Sequence, residues 1–272
     1  MKATIAVEKT PMPLVVVTGA SEGIGRAIAE RFACLGHDVV LVARSEPDLR
    51  LAADAIVAAH GVRAIALPLD ITQPGAPDRI AEAAHGVGGF VDVLVNNAGL
   101  GLSGPFDEAA AGKLEALLDL NVKAMKLLTH RFLPEMRVRR RGGIINVASL
   151  AGYTPGPWQA AYYASKAYVV SLSEALAAEV AADNVRVTVV APGPVETRFH
   201  AKMDAEESFY RLLPAPSARS IAWRAVAGYR WRLRLVVPDV WSLATFPFLR
   251  FLPHRLLVPI VGWLLKPRRP GG

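Results

Sequence analysis

Short apolar runs rich in Val and Ile recur along the chain, at Leu14–Val17, Val39–Val42, Arg63–Leu67, Val91–Val95, Ile144–Val147 and Arg186–Val190. Each is almost continuous in apolar residues, the pattern of a strand covered on both faces rather than of one with a face in water. Between them, Gly25–Leu35, Pro47–Ala59, Pro77–Ala84, Asp107–Arg137 and Ala160–Ala182 have the length and composition of helices. Strand and helix in regular alternation predict an α/β fold: a doubly wound parallel sheet, Rossmann-like, in a single domain. Past Val195 the alternation gives way to Pro-interrupted apolar and basic stretches. A seventh strand fits only Arg232–Val237.

Composition agrees with a large core, since 52% of the 272 residues are apolar and only 20% are charged. The one cysteine, Cys34, excludes disulfides within the chain and is expected to be a buried thiol in a packed helix. Near the N-terminus the apolar run Leu14–Val17 passes straight into a glycine-containing turn, so no secretory leader is expected, and the expected location is cytoplasmic. A formal charge of +7 points to nucleic acid until it is divided along the chain. From Arg219 onward ten Lys or Arg face one acid, Asp239, which leaves residues 1–218 with a net −2. The basicity belongs to the tail.

The first apolar run ends in Thr18-Gly19-Ala20-Ser21-Glu22-Gly23-Ile24-Gly25, at the entry to a helix. Glycines there let the backbone turn tightly and approach a pyrophosphate, which a helix N-terminus stabilises. A tight connection alone would also use them. About twenty residues on, where an acid would accept the ribose hydroxyls of NAD, Ala43 is followed by Arg44, a charge suited to a 2′-phosphate or to a solvated helix entry. NADP(H) is therefore expected ahead of NAD(H). Asp70 and Ile71 follow the third strand and Asn96-Asn97-Ala98-Gly99 the fourth, at strand ends where open α/β sheets bind ligands.

The strongest chemical signal is Ser149 followed by Tyr162-Tyr163-Ala164-Ser165-Lys166. Positions four apart share a helix face, so Tyr162 and Lys166 point together while Tyr163 lies about 100° round. A nearby ammonium favours the phenolate and prepares a group able to exchange a proton with an alcohol or carbonyl oxygen. Taken together, these motifs closely resemble the short-chain dehydrogenase/reductase family, from Leu14 to about Thr197. Its cofactor loop matches Thr18-Gly19-x-x-x-Gly23-Ile24-Gly25, its sheet-stabilising turn matches Asn96-Asn97-Ala98-Gly99, and its nicotinamide-contacting loop resembles Pro192-Gly193-Pro194-Val195-x-Thr197.

That resemblance implies hydride transfer between a nicotinamide and a carbonyl or alcohol carbon. Tyr162 would exchange the proton, Ser149 would polarise the substrate oxygen, Lys166 would hold the nicotinamide ribose and tune Tyr162, and Asn121 would position a relay water. The cofactor would lie along Gly19, Ser21, Glu22, Gly23, Ile24 and Gly25, then Arg44, Asp70 and Ile71, then Asn97, Ala98 and Gly99, and finally Tyr162, Lys166, Pro192, Gly193, Val195 and Thr197. No metal is called for, and a homo-oligomer, dimer or tetramer, is the family's habit. The sequence departs from the family at Glu22, where NADP enzymes commonly carry a basic residue, and beyond Thr197, where its usual ending is replaced.

The expected organisation is thus a dinucleotide-binding and catalytic core over 1–197, a substrate lid and helix over 198–229, and an apolar, basic C-terminal extension over 230–272. Phe199, Phe209, Tyr210, Leu212 and Leu213 in the lid point to an apolar ketone or aldehyde as substrate. A non-catalytic, nucleotide-binding regulatory protein is the alternative on the same fold. The Arg230–Arg234 run suggests nucleic acid only in isolation, and no nucleic-acid partner is expected beside an acidic body. In the tail, Trp223, Trp231, Trp241 and Trp263 accompany the apolar stretches Val240–Leu249 and Leu256–Leu265, too short to span a bilayer. They suit peripheral contact with a membrane, and equally a cover for the substrate pocket or a subunit contact.

Overall fold

Every apolar run read as a strand forms one, and all of them lie parallel. The computed structural model describes residues 11–197, 199, 203 and 215–266. Strands β1 (Met12–Thr18), β2 (Asp38–Ala43), β3 (Ala64–Pro68), β4 (Gly89–Asn96), β5 (Gly143–Val147), β6 (Arg186–Val190) and β7 (Leu235–Val236) make one seven-stranded sheet in the order 3-2-1-4-5-6-7. The order reverses direction between β1 and β4, which pair through Val17 and Val95, and the carboxyl ends of those two strands open the crevice where ligands bind in such sheets.

The helices cover the two faces, and alternation along β1 sorts the core between them. Val15 and Val17 pack with α1 (Gly23–Cys34), α2 (Glu46–His60) and α7 (Ala218–Arg230) through Ile28, Phe32, Leu49, Ile56 and Val226. Leu14 and Val16 belong to the opposite face with Ile80 of α3 (Ala76–Gly86) and with Leu128, Phe132 and Met136 of α5 (Met125–Arg139). These strand residues are almost wholly removed from water, as a parallel sheet with both faces covered requires. Turn chemistry sets the helix ends: Pro47 lies in the first turn of α2, and Gly61 stops it in the left-handed conformation (φ 66°).

Several sequence expectations need correcting. Cys34 is exposed, because it is the last residue of α1 and lies off the buried face that carries Ala29, Phe32 and Ala33. The helix expected over Asp107–Arg137 begins at Ala111 and changes gauge on the way: α4 (Ala111–Leu118) passes through a π segment, Asp119–Ala124, before α5. The seventh strand shrinks to two residues. The apolar stretches beyond it are α8 (Val240–Phe251) and α9 (His254–Leu265), and α6 (Ala160–Glu179) gives way to a short 3-10 turn. Phe209, Tyr210, Leu212 and Leu213 lie outside the described residues.

Candidate active site

Glycine builds the turn that follows β1. Gly19 (φ 65°) and Gly23 (φ 60°) occupy the left-handed region, and a Cβ on Gly19 would stand 2.9 Å from the Cα of Ala98. Gly25, in the first turn of α1, lies so close to the Gly19 carbonyl that no side chain fits between them. Thr18, the first residue of the cofactor-loop motif, fastens this turn to the one after β4. Its hydroxyl donates to the Val95 carbonyl (3.2 Å) and accepts from the amides of Asn97 (3.0 Å) and Ala98 (3.1 Å). In return the Asn97 side-chain amide donates to the carbonyls of Thr18 (3.0 Å) and Gly19 (3.2 Å). Helix α1 then starts with Glu22 at its N-cap, no side-chain cap hydrogen bond and no acid in its first turn. That end of the helix, with Glu22, Gly23 and Ile24, lies at the same cavity as the glycine turn.

Next along the strand ends is Arg44, exposed just past β2, beside Ser45, whose hydroxyl donates to Asp48 (2.6 Å). Asp70 accepts from the backbone amide (3.0 Å) and hydroxyl (2.7 Å) of Thr72. Those bonds, with the charge of Arg44 adding to them, hold its carboxyl below the usual range.

The chemistry-bearing side chains come from β5, the π segment and α6. Ser149, two residues past β5, accepts from the amide of Ala151 (3.2 Å), and its own hydrogen goes to the Pro192 carbonyl (3.3 Å). Tyr162 is buried on α6, and the ammonium of Lys166 lies 5.9 Å from the centre of its ring. Lys166 is buried too, donates to the Val147 carbonyl (3.0 Å), and burial alone pulls its pKa down to about 8. Gly99 lies beside both groups, for a Cβ there would stand 3.2 Å from the Asn121 side-chain oxygen and in ordinary contact, 3.6 Å, with the ammonium.

Asn121 sits in the π segment with its side chain committed: the oxygen accepts from the Leu100 amide (2.8 Å), and the nitrogen donates to the Leu100 carbonyl (2.8 Å) and the Ser165 hydroxyl (3.0 Å). Both amide hydrogens are spent, so this side chain ties the loop after β4 to α6.

One cavity of about 900 Å³ joins the two ends. Gly19, Ser21, Glu22, Gly23 and Ile24 line it at the glycine turn, Arg44, Asp70 and Ile71 beside them, and Asn97, Ala98 and Gly99 at the middle. Ser149, Tyr162 and Lys166 form the far wall with Pro192, Gly193, Val195 and Thr197. Of the residues singled out in the sequence, Gly25 and Asn121 stand behind this wall instead of in it. No sequence signal marked Gln159, one turn ahead of Tyr162, which is buried at the cavity with no partner for its amide nitrogen among the described residues, or Asp239, whose second carboxylate oxygen is likewise buried with no partner among them. Helices α8 and α9, for which a cover over the substrate pocket was one of the expectations, roof the chemical end through Trp241, Ser242, Thr245 and Leu249 and through Val261, Leu264 and Leu265. Among the described residues no group of three His, Cys, Asp or Glu could hold a metal ion.

Comparison with known proteins agrees with this geometry. The family model described as short chain dehydrogenase matches residues 13–208. A short chain dehydrogenase of Pseudocercospora fijiensis is 40% identical over 192 residues, 70% of this chain but only 62% of that protein, so less than two-thirds of its length is matched. The structure is similar to that of a short-chain dehydrogenase from Sphingobium yanoikuyae in complex with NADPH, with a TM-score of 0.79 and 31% identity, covering 88% of this chain and 92% of that one. It is also similar to the bulky-bulky ketone specific alcohol dehydrogenase from Comamonas testosteroni, with a TM-score of 0.73 and 25% identity, covering 90% of this chain and 96% of that one.

Proposed function

The chain belongs to the short-chain dehydrogenase family, and from that premise we propose that it is an NAD(P)(H)-dependent oxidoreductase that reduces an apolar ketone or aldehyde, with NADPH preferred. The observation that carries this reading is the single cavity with a glycine turn at one end and Ser149, Tyr162 and Lys166 on the wall of the other. Gly19 and Gly23 line the cavity with bare backbone beside the start of α1, and the residues present fit a dinucleotide. Gly19, Ser21, Gly23 and Ile24 would hold the pyrophosphate, Arg44 the 2′-phosphate, and Lys166 with the loop Pro192–Thr197 the nicotinamide riboside. When bound, such a cofactor supplies the hydride.

The side chains do the rest. Tyr162 gives its proton to the carbonyl oxygen as charge develops there, and Lys166, held against the Val147 carbonyl, keeps a positive charge at the phenol's edge. Ser149 turns its hydroxyl hydrogen from Pro192 to the substrate oxygen and polarises it. Asn121 keeps Leu100 and Ser165 in register behind them. The apolar roof supplied by α8 and α9 suits a hydrophobic substrate, and the Gln159 nitrogen, buried with no partner among the described residues, favours one with a second hydrogen-bond acceptor.

Loss of reduced nicotinamide followed across aliphatic, aromatic and steroidal carbonyls tests the proposal. Turnover is expected with an apolar carbonyl and is expected to fall by at least about a thousandfold in Tyr162→Phe, with dinucleotide affinity kept, because the ring remains and only the transferable proton is deleted. Tyr163→Phe should be mild. A protein that binds the dinucleotide yet turns over nothing on the panel would be the regulatory alternative.

A further inference from the structure

Helices α8 and α9 are apolar on the side that roofs the cavity and apolar again on the side that faces outward. On α8, Leu243, Phe248 and Phe251 point outward, and on α9 Leu256, Ile260 and Trp263 recur at the spacing of a helix face. Phe251 is 77% exposed and Trp263 68%. Trp241 is 60% exposed and also lines the cavity, which places this face at the cavity's rim. Scattered surface apolar residues need no explanation, but exposed apolar residues repeated along two successive helices mark a surface that something covers.

Charge decides between the candidates for that something. From Val240 to the end of the sequence there are five cations, Arg250, Arg255, Lys266, Arg268 and Arg269, and no carboxylate. Arg250 is tied to Glu174 (3.3 Å), while Arg255 and Lys266 are exposed at the start and the end of α9. A second copy packed through the same face about a two-fold axis would set these cations against their own images, a like-charge arrangement. An anionic bilayer offers the opposite sign, and Trp beside Lys and Arg at an apolar face is the composition of a membrane interface. Among the described residues no helix is long and apolar enough to cross a membrane, so the pair would lie in the interface plane.

We infer that the outer face of α8 and α9 docks on an anionic lipid surface, with the cavity mouth beside the bilayer. The docking follows from the face alone; that the mouth then admits an apolar carbonyl dissolved in the lipid rests on the proposed reaction.

Sedimentation of the full-length protein with vesicles of phosphatidylcholine alone, and of phosphatidylcholine mixed with phosphatidylglycerol, tests the inference. The protein should pellet with the mixed vesicles, and the bound fraction should fall as salt shortens the reach of the charges from about 10 Å at 0.1 M toward about 3 Å at 1 M. Phe251→Ser combined with Leu256→Ser, both at exposed positions, should weaken binding by at least about tenfold. Arg255→Gln with Lys266→Gln should lessen its dependence on phosphatidylglycerol. Dinucleotide titration of each variant shows that it is folded. A protein that stays in the supernatant with every vesicle overturns the inference. So does a Phe251→Ser, Leu256→Ser variant that pellets like the parent, above all if it has turned from oligomer to monomer, which would make the face a subunit contact. Because pelleting needs no turnover, an inactive protein that binds vesicles removes the proposed reaction and leaves docking in place, and an active one that ignores them does the reverse.

Discussion

Lys166 shows how one residue is shaped by two demands. Its side chain is buried near Tyr162, and burial lowers its pKa to about 8, whereas in an unfolded chain a lysine titrates near ~10.4. Below about pH 8 both states hold the proton and the fold bears the full cost of a buried cation. As pH rises from about 8 to about 10.4 the native state gives up its proton first, the unfolded state binds more protons, and stability increases. Lys166→Met should therefore be more stable than the parent near neutral pH, by about 2 kcal/mol once the loss of the bond to Val147 is allowed for. Urea unfolding at a series of pH values should show that margin narrowing through the same window; a margin that does not change with pH would mean that the ammonium is not burdened. Arg44 answers a different need, since it stands exposed at the cavity with only its charge to offer. Removing one charge-assisted contact to a phosphate amounts to roughly 1.5 to 3 kcal/mol. Arg44→Ala should accordingly reduce kcat/KM with NADPH by about ten-fold to a hundred-fold and leave NADH almost unaffected. A ratio of the two cofactors that stays the same would remove Arg44 from the phosphate. Tyr162 and Lys166 were legible as a pair from spacing alone, because a helix fixes which residues share a face. Gln159 and the fastening role of Thr18 were not, since a polar residue carries no mark in the sequence of where its hydrogen bonds go.

Among the elements, the strands were the easiest to read and the last helices the hardest, for one physical reason. A strand with both faces covered must be apolar nearly throughout, so β1 and β2 announce themselves over four consecutive residues and β4 over a run broken only by Asp92. Helices α8 and α9 are also apolar nearly all round, but that erases the polar face from which a helical period is recognised. Prolines inside both, Pro247 and Pro259, further disguise them. The π segment Asp119–Ala124 leaves no trace in hydropathy, because one residue more per turn does not change which residues are apolar. The glycine turn after β1, by contrast, was legible and its necessity is now geometric. Gly19→Ala would put a Cβ 2.9 Å from the backbone of Ala98 in a left-handed conformation, strain of about 1 to 3 kcal/mol, and would push apart the turns that Thr18 and Asn97 fasten together. We expect a lower melting temperature together with dinucleotide affinity weakened at least about tenfold, read by thermal unfolding with and without NADPH. Loss of stability without loss of affinity would mean that the turn serves the fold and not the cofactor.

Across the whole molecule, the core and the C-terminal helices are built on different terms. The packed clusters on the two sheet faces draw their residues from no element later than β7. Helices α8 and α9 are instead held by contacts around the cavity. Asp239 caps α8 through the Ser242 amide (2.8 Å), Phe246 meets Tyr153 edge-on at 4.9 Å between ring centres, and the indole of Trp158 donates to the Gly262 carbonyl (3.1 Å). Trp158 takes a left-handed backbone (φ 68°) in the loop leading into α6, so a strained aromatic joins the roof to the helix that carries Tyr162. A chain ending at Asp239 should therefore still fold and bind the dinucleotide, with affinity changed by no more than about twofold, since the residues at the glycine turn keep their neighbours. It should lose the apolar wall made by Trp241, Leu249, Val261 and Leu265. With about 25 cal/mol for each Å² of apolar contact given up, the loss of two or three side chains' contact amounts to at least about tenfold in KM for an apolar carbonyl. Calorimetric unfolding, dinucleotide titration and steady-state kinetics on the same truncated protein separate the outcomes. A raised KM with an intact cofactor site makes α8 and α9 a roof over a finished enzyme, whereas a chain that fails to fold or to bind the dinucleotide makes them part of the core.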